Sequence, residues 1–227
     1  MSDIRVAYRR PLWIGAGLVV AGALLGVGIV VGLDNGTFAL DRAWNDFLAA
    51  SRGPIALWLA YALDWIGGGL MGILVLPGII VVVLLALRRP WAAGFFIACE
   101  LASAGIVQII KHTVGRARPE DILVVSDFGS FPSGHVANAT TIAVALFVIF
   151  PRLWMGIAGV VWVLAMAWSR TYLGAHWLSD TIGGALVGAG AALLVAAAFA
   201  RPLATEQERH GSVGAPARAP GKDPEPR

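Results

Sequence analysis

Six apolar stretches, each near the length needed to cross a lipid bilayer, constrain this chain more than anything else in it. A hydrocarbon core about 30 Å thick takes about 20 mostly apolar residues as helix, because in lipid every backbone N–H and C=O must be satisfied within the segment. That ruler cuts the 227 residues into spans at about 12–33, 68–87, 91–110, 134–150, 153–168 and 178–199. Pro77 inside the second predicts a kink there. The chain is 58% hydrophobic and 14% charged, with a mean hydropathy of +0.75, too apolar for a soluble domain of this length. The expected architecture is all-α: a polytopic, six-transmembrane-helix bundle.

Between the first two spans, Leu40, Trp44, Phe47 and Leu48 recur at helical spacing, predicting an interfacial amphipathic helix at about 40–52. The run "IALWLAYAL" after it is too short to span and reads as an interfacial or re-entrant lead-in. With six spans, Arg5, Arg9, Arg10, Arg88, Arg89, Arg152 and Arg201 fall on one side, as short cytoplasmic loops favour. The charge rule alone does not settle the orientation; the domain reading is a cytoplasmic N-terminus at 1–11, a membrane domain at 12–199, and a disordered cytoplasmic tail at 200–227, rich in proline and mixed charge. The first span is too long for a cleaved leader. The formal net charge of +3 sits at the ends of the apolar runs, which argues topology and no nucleic-acid surface. Cys99 lies within an apolar run and offers neither a disulfide framework nor a thiolate metal site. "GGALVGAG" at 183–190 reads as a small-residue face for close helix packing.

The other side also carries positive charge, in Arg42, Arg52, Lys111, Arg116, Arg118 and Arg170. Three polar clusters open there: "KHTVGRARP" after the third span, "FPSGH" before the fourth, and "SRTYLGAHWLSD" between the fifth and sixth. Ionisable groups at a membrane rim are costly unless paired, hydrated or functional. Together they describe a cradle for a phosphate-sized anion. Lys111, Arg118 and Arg170 supply cations that bind phosphate oxygens. Backbone N–H groups near Ser133 and Gly134, at a helix start, add an anion site. His176, with Asp180 one turn on accepting from one ring nitrogen, presents the other for attack on phosphorus. His135 serves as general acid. This design calls for no metal and no other cofactor, because the cations hold the transition-state charge.

The ordered motifs K-x6-RP at Lys111–Pro119, PSGH at Pro132–His135 and SR-x5-H-x3-D at Ser169–Asp180 resemble those of the type 2 phosphatidic acid phosphatases, a superfamily that includes the vanadium haloperoxidases. The resemblance covers about 12–199. It implies a covalent phosphohistidine on His176, Asp180 orienting that ring, His135 as acid, and phosphate contacts from Lys111, Arg118, Ser133, Gly134 and Arg170. It further implies a lipid phosphate substrate reached from the bilayer at an extracytoplasmic active site: polyprenyl diphosphate first, then phosphatidic acid or phosphatidylglycerol phosphate. Arg116 is a further candidate contact, and His112 a bystander. Transfer to an acceptor lipid instead of water, and a scaffold or transporter that captures phosphate uncleaved, are the alternatives. A haloperoxidase is disfavoured by the apolar helices.

Elsewhere, Glu100 in mid-span reads as a structural hydrogen bond ahead of a proton relay, and Asn138 as an interhelical hydrogen bond. Asp64 reads as an interfacial, solvated carboxylate ahead of a substrate contact. Trp58, Trp65, Trp168 and Trp177 read as interfacial anchors.

Overall fold

A computed structural model describes residues 2–34 and 36–212. Every regular element among them is helical: α1 (Ser2–Val27), continuing as a π-helical segment (Gly28–Gly32); α2 (Ala39–Ala50); α3 (Pro54–Gly67); a second π-helical segment (Met71–Val75) leading into α4 (Leu76–Ala86); α5 (Pro90–Val114); α6 (Gly134–Ile149); α7 (Leu153–Tyr172); α8 (Leu178–Ala198); and α9 (Ala200–Ser212). Among the described residues, four helices are long and apolar enough to cross a membrane: Arg9–Gly32, Pro90–Val114, Leu153–Tyr172 and Leu178–Ala198. A fifth is the pair Pro54–Gly67 and Met71–Ala86, bent by 49° at its break. Apolar α6, with 16 residues, is shorter than these spans; it lies among α5, α7 and α8.

The bend does not fall at Pro77, as expected, but upstream at the run Gly67–Gly69, where Gly69 has φ +53°. Glycine takes that left-handed geometry without a Cβ clash, whereas the helix from Met71 runs on through Pro77, which lies just past the wider turn of the π-helical segment Met71–Val75. The lead-in "IALWLAYAL" lies within α3. α5 starts on Pro90 and stops at Gly115, whose φ of +60° turns the chain while its N–H still bonds the Lys111 carbonyl at 3.0 Å.

The glycine run in α8 packs as expected. Gly184 lies against the Ser133 carbonyl and Gly188 against the Ala137 carbonyl of α6, while Gly190 meets Gly15 of α1, so helix backbones touch where no side chain fits. α8 is thereby clamped between α1 and α6, which puts its first turn beside the first turn of α6. At the far end, Phe95, Phe96, Leu84, Ile149 and Ala192 form the largest core. There the chain departs from the disordered tail expected from residue 200. α9 folds back, Leu203 is buried, and the Glu206 carboxylate accepts the backbone N–H groups of Trp91 (2.8 Å) and Ala92 (3.1 Å) at the start of α5. A carboxylate at a helix N-terminus satisfies donors that lack intrahelical partners. The tail reading for 213–227 lies outside the described residues.

Replacing Gly188 with Val forces a branched side chain into the Ala137 carbonyl and should cost about 1–3 kcal/mol. Gly17→Val, where nothing lies within 4 Å, should leave the thermal midpoint in detergent unchanged while Gly188→Val lowers it.

Candidate active site

All three polar clusters meet at one end of the bundle, where α5 and α7 end and α6 and α8 begin. His176, in the turn between α7 and α8, is 3% exposed. Its Nδ1 lies 2.8 Å from the Ser130 carbonyl. A carbonyl only accepts, so Nδ1 carries the proton and Nε2 the lone pair. Nε2 faces the Arg118 guanidinium, with Nη1 at 3.2 Å. Burial first, and then the positive charges of Arg170, Arg118 and Lys111, hold His176 well below the ordinary imidazole value. The ring is therefore neutral, as a nucleophile has to be.

Asp180 differs from expectation. Its Oδ2 is 3.7 Å from His176 Nδ1, beyond hydrogen-bond reach; the ring's acceptor is the Ser130 carbonyl. Asp180 instead accepts the Trp177 backbone N–H at 2.8 Å, capping α8, and pairs with Arg116 Nη1 at 2.6 Å. Its hold on His176 runs through the fold of the turn. Arg116, the extra candidate contact, is 1% exposed. Besides Asp180 it binds Asp41 (2.8 Å), the Ser179 hydroxyl (2.8 Å) and the Gly36 carbonyl (3.2 Å). It is a structural strut with no face toward the cradle. Asp41, whose importance the apolar stripe of α2 concealed, also accepts the Ser179 backbone N–H at 2.9 Å. Through it α2 is fastened over the first turn of α8, with Leu48 and Trp44 packed near Tyr172 and Leu173 while Leu40 and Phe47 stay exposed. Trp177, expected as an anchor, donates its Nε1–H to the Ala117 carbonyl at 3.0 Å and faces Arg116; Trp58 and Trp65 are exposed.

The cradle cations stand together, each beside a carboxylate. Asp127 receives Lys111 Nζ (2.9 Å) and Arg118 Nη2 (2.8 Å). Burial pushes the Asp127 carboxyl up, but the Lys111 hydrogen bond and the charges of Lys111 and Arg118 prevail and hold it below its usual range. Burial lowers Arg118, and the carboxylates at 127 and 180 oppose that. Asp64 is not the solvated carboxylate expected: its Oδ1 accepts from Arg170 Nη1 and lies 3.2 Å from His135 Nε2. Gly68 passes over the same imidazole so closely that a Cβ there would overlap Nε2. An acidic residue inside an apolar run, three residues before a glycine run, was the signal for both.

Ser133 begins α6 without a side-chain cap. Its backbone N–H bonds the Asp180 carbonyl at 3.0 Å, so of the two amides expected to bind anion, only that of Gly134 is left at the helix start. The Ser133 Oγ, Arg118 Nε and Arg170 Nε atoms are buried with no hydrogen-bond partner among the described residues, a costly state that phosphate oxygens would relieve. A cavity of about 520 Å³ runs from His176, His135, Arg170 and Lys111 along α5 past Gln108 to Glu100. Glu100 Oε1 is buried there without a hydrogen-bond partner among the described residues, against the structural hydrogen bond expected for it, whereas Asn138 does bridge to the Gly72 carbonyl at 2.9 Å. His112 stacks on Phe128, with ring centroids 5.5 Å apart, and does not line the cavity. Among the described residues no three His, Cys, Asp or Glu side chains are grouped to hold a metal ion.

Known proteins resemble this chain in sequence and in fold. The PAP2 superfamily model matches residues 92–202. The chain is 32% identical over 128 residues to a lipid A 1-phosphatase of Rhizobium johnstonii, covering 51% of each. It is 30% identical over 114 residues to an undecaprenyl-diphosphatase of Sulfolobus acidocaldarius, covering 46% of this chain and 54% of that one. It thus spans about half the length of the curated relatives it matches. The crystal structure of a transmembrane PAP2-type phosphatidylglycerolphosphate phosphatase from Bacillus subtilis superposes with a TM-score of 0.72 at 22% identity, over 84% of this chain and 97% of that one, so the fold is shared.

Arg116→Met leaves two buried carboxylates uncompensated and should cost about 3–5 kcal/mol. Arg116→Lys, which loses the forked geometry, should recover little of it in the same detergent unfolding measurement.

Proposed function

We propose, from the match of residues 92–202 to the PAP2 superfamily model, that this protein is an integral membrane lipid phosphate phosphohydrolase that works through a phosphohistidine on His176. The observation that carries the reading is the meeting of a neutral, buried His176, whose Nε2 faces Arg118, with His135, Lys111 and Arg170 in the lining of one cavity that continues between apolar helices. A phosphate seated there meets cations on its equatorial oxygens, and the lipid's apolar part has the cavity along α5.

In the first step His176 Nε2 forms a bond to phosphorus as the bond from phosphorus to the lipid oxygen breaks, and that oxygen takes a proton from His135. In the second, a water oxygen bonds phosphorus, the P–N bond breaks, and the water's proton returns to His135. Lys111, Arg118 and Arg170 supply the positive charge throughout, so no metal enters the scheme. Asp180 works through the turn it caps and through Arg116. The membrane arrangement that suits these roles is six passes, with α6 and the bent α3–α4 pair each counted once, termini in the cytoplasm and the site facing outward. Polyprenyl diphosphate is the first substrate candidate, ahead of phosphatidic acid and phosphatidylglycerol phosphate. The relatives' names extend the range to the phosphate of lipid A.

The test is inorganic phosphate released from a panel of these lipids by purified protein in EDTA. The wild type should turn over at least one of them and His176→Ala none, at unchanged thermal midpoint. Equal turnover by His176→Ala, or no release from any lipid by the wild type, rejects the assignment.

A further inference from the structure

We propose that Asp64 is the positioning residue of the general acid: its carboxylate holds the Nε2–H of His135, so that the ring stays protonated and delivers its proton from Nδ1. This rests on the phosphatase reading above. The carboxylate is 3.2 Å from His135 Nε2 and also accepts from Arg170 Nη1. It stands at the end of α3, and Gly67–Gly69 break the helix directly after it. The break lets α3 and its continuation cross the imidazole at Gly68, where any side chain would push the ring off Asp64. Chain geometry and charge therefore converge on one ring nitrogen.

A general acid has to carry its proton before the lipid oxygen departs, and the surroundings of His135 oppose that. The ring is half-buried, and cations act on it from two elements, Lys111 from α5 and Arg118 from the loop after α5, while Arg170 of α7 shares the Asp64 carboxylate with it. Two carboxylates oppose them, Asp127 from the same loop and Asp64 from α3. His176 and Glu100 share the cavity wall. Asp127 is committed to Lys111 and Arg118, which leaves Asp64 as the carboxylate in contact with the imidazole. An opposite charge at that distance favours the protonated ring. With Nε2–H held by Asp64, Nδ1 is the nitrogen that gives its proton to the lipid oxygen as the P–O bond breaks, and that recovers one from water as the P–N bond breaks.

Asp64→Asn is compared with wild type on the alkyl lipid phosphate of the panel hydrolysed fastest, and on 4-nitrophenyl phosphate, whose leaving group needs little protonation. On the lipid, kcat should fall about ten-fold or more, and the alkaline limb of the pH profile should move to lower pH by about one unit or more. On the aryl phosphate kcat should fall less than about three-fold. A change in KM alone reports the Arg170 contact and overturns the proposal, as do equal losses on both substrates with an unmoved alkaline limb. Should Asp64→Asn not fold, Gly68→Ala carries the same test, with the same limb shift expected. A wild type that hydrolyses no lipid phosphate overturns the functional reading and this inference with it, whereas an active wild type matched by both variants overturns this inference alone.

Discussion

A guanidinium sealed from solvent between two carboxylates holds the working end of this molecule together. Arg116 joins Asp41 of α2, Asp180 of α8 and the turn at Gly36. Each of those groups is expensive to bury alone, and each is compensated only when the three elements sit in one arrangement. The turn bearing His176 is then fixed from both sides: Asp180 caps α8 through the Trp177 amide, and the Ser130 carbonyl, in the chain segment begun by Arg116, fixes the ring's tautomer. Ser130 itself is bound back to Arg116 and Ala117 through their carbonyls. The position of one imidazole thus follows from a buried ion network built on Arg116.

The cradle obeys the complementary rule. Three cations in a partly desolvated site would repel one another strongly, and two carboxylates, Asp127 and Asp64, offset them. On the proposed reading, a phosphate group competes with those carboxylates for the same guanidinium and ammonium protons. Binding then exchanges one set of charge-assisted hydrogen bonds for another rather than creating them from water. It also adds partners for Ser133 Oγ and the Nε atoms of Arg118 and Arg170.

Much of this was legible in the residues. Apolar length located the helices, the spacing of His176 and Asp180 located a helix start, and the glycines of α8 announced close backbone contact. What could not be read was pairing. Asp41 lies in an amphipathic stretch, Asp64 in an apolar one and Asp127 in a loop, and nothing local says which cation each will meet. The same gap explains Asp180, where i, i+4 spacing allows a bond to His176 but a helix cap and Arg116 compete for the carboxylate and win. Pro77 misled for a related reason: the chain bends at the glycine run before it, and the helix from Met71 runs on through the proline behind a π-helical turn. The fold-back of α9 hung on Glu206, whose partners are amides more than a hundred residues away.

The central claim, that His176 Nε2 takes the phosphoryl group, is tested most directly by rapid acid-free quenching of the protein during turnover of a phosphorus-labelled lipid, followed by peptide mapping. The account predicts an acid-labile, base-stable label on His176 that appears before phosphate is released and is absent from His176→Ala. Label on another residue, or steady turnover with no labelled protein at any time, would contradict it.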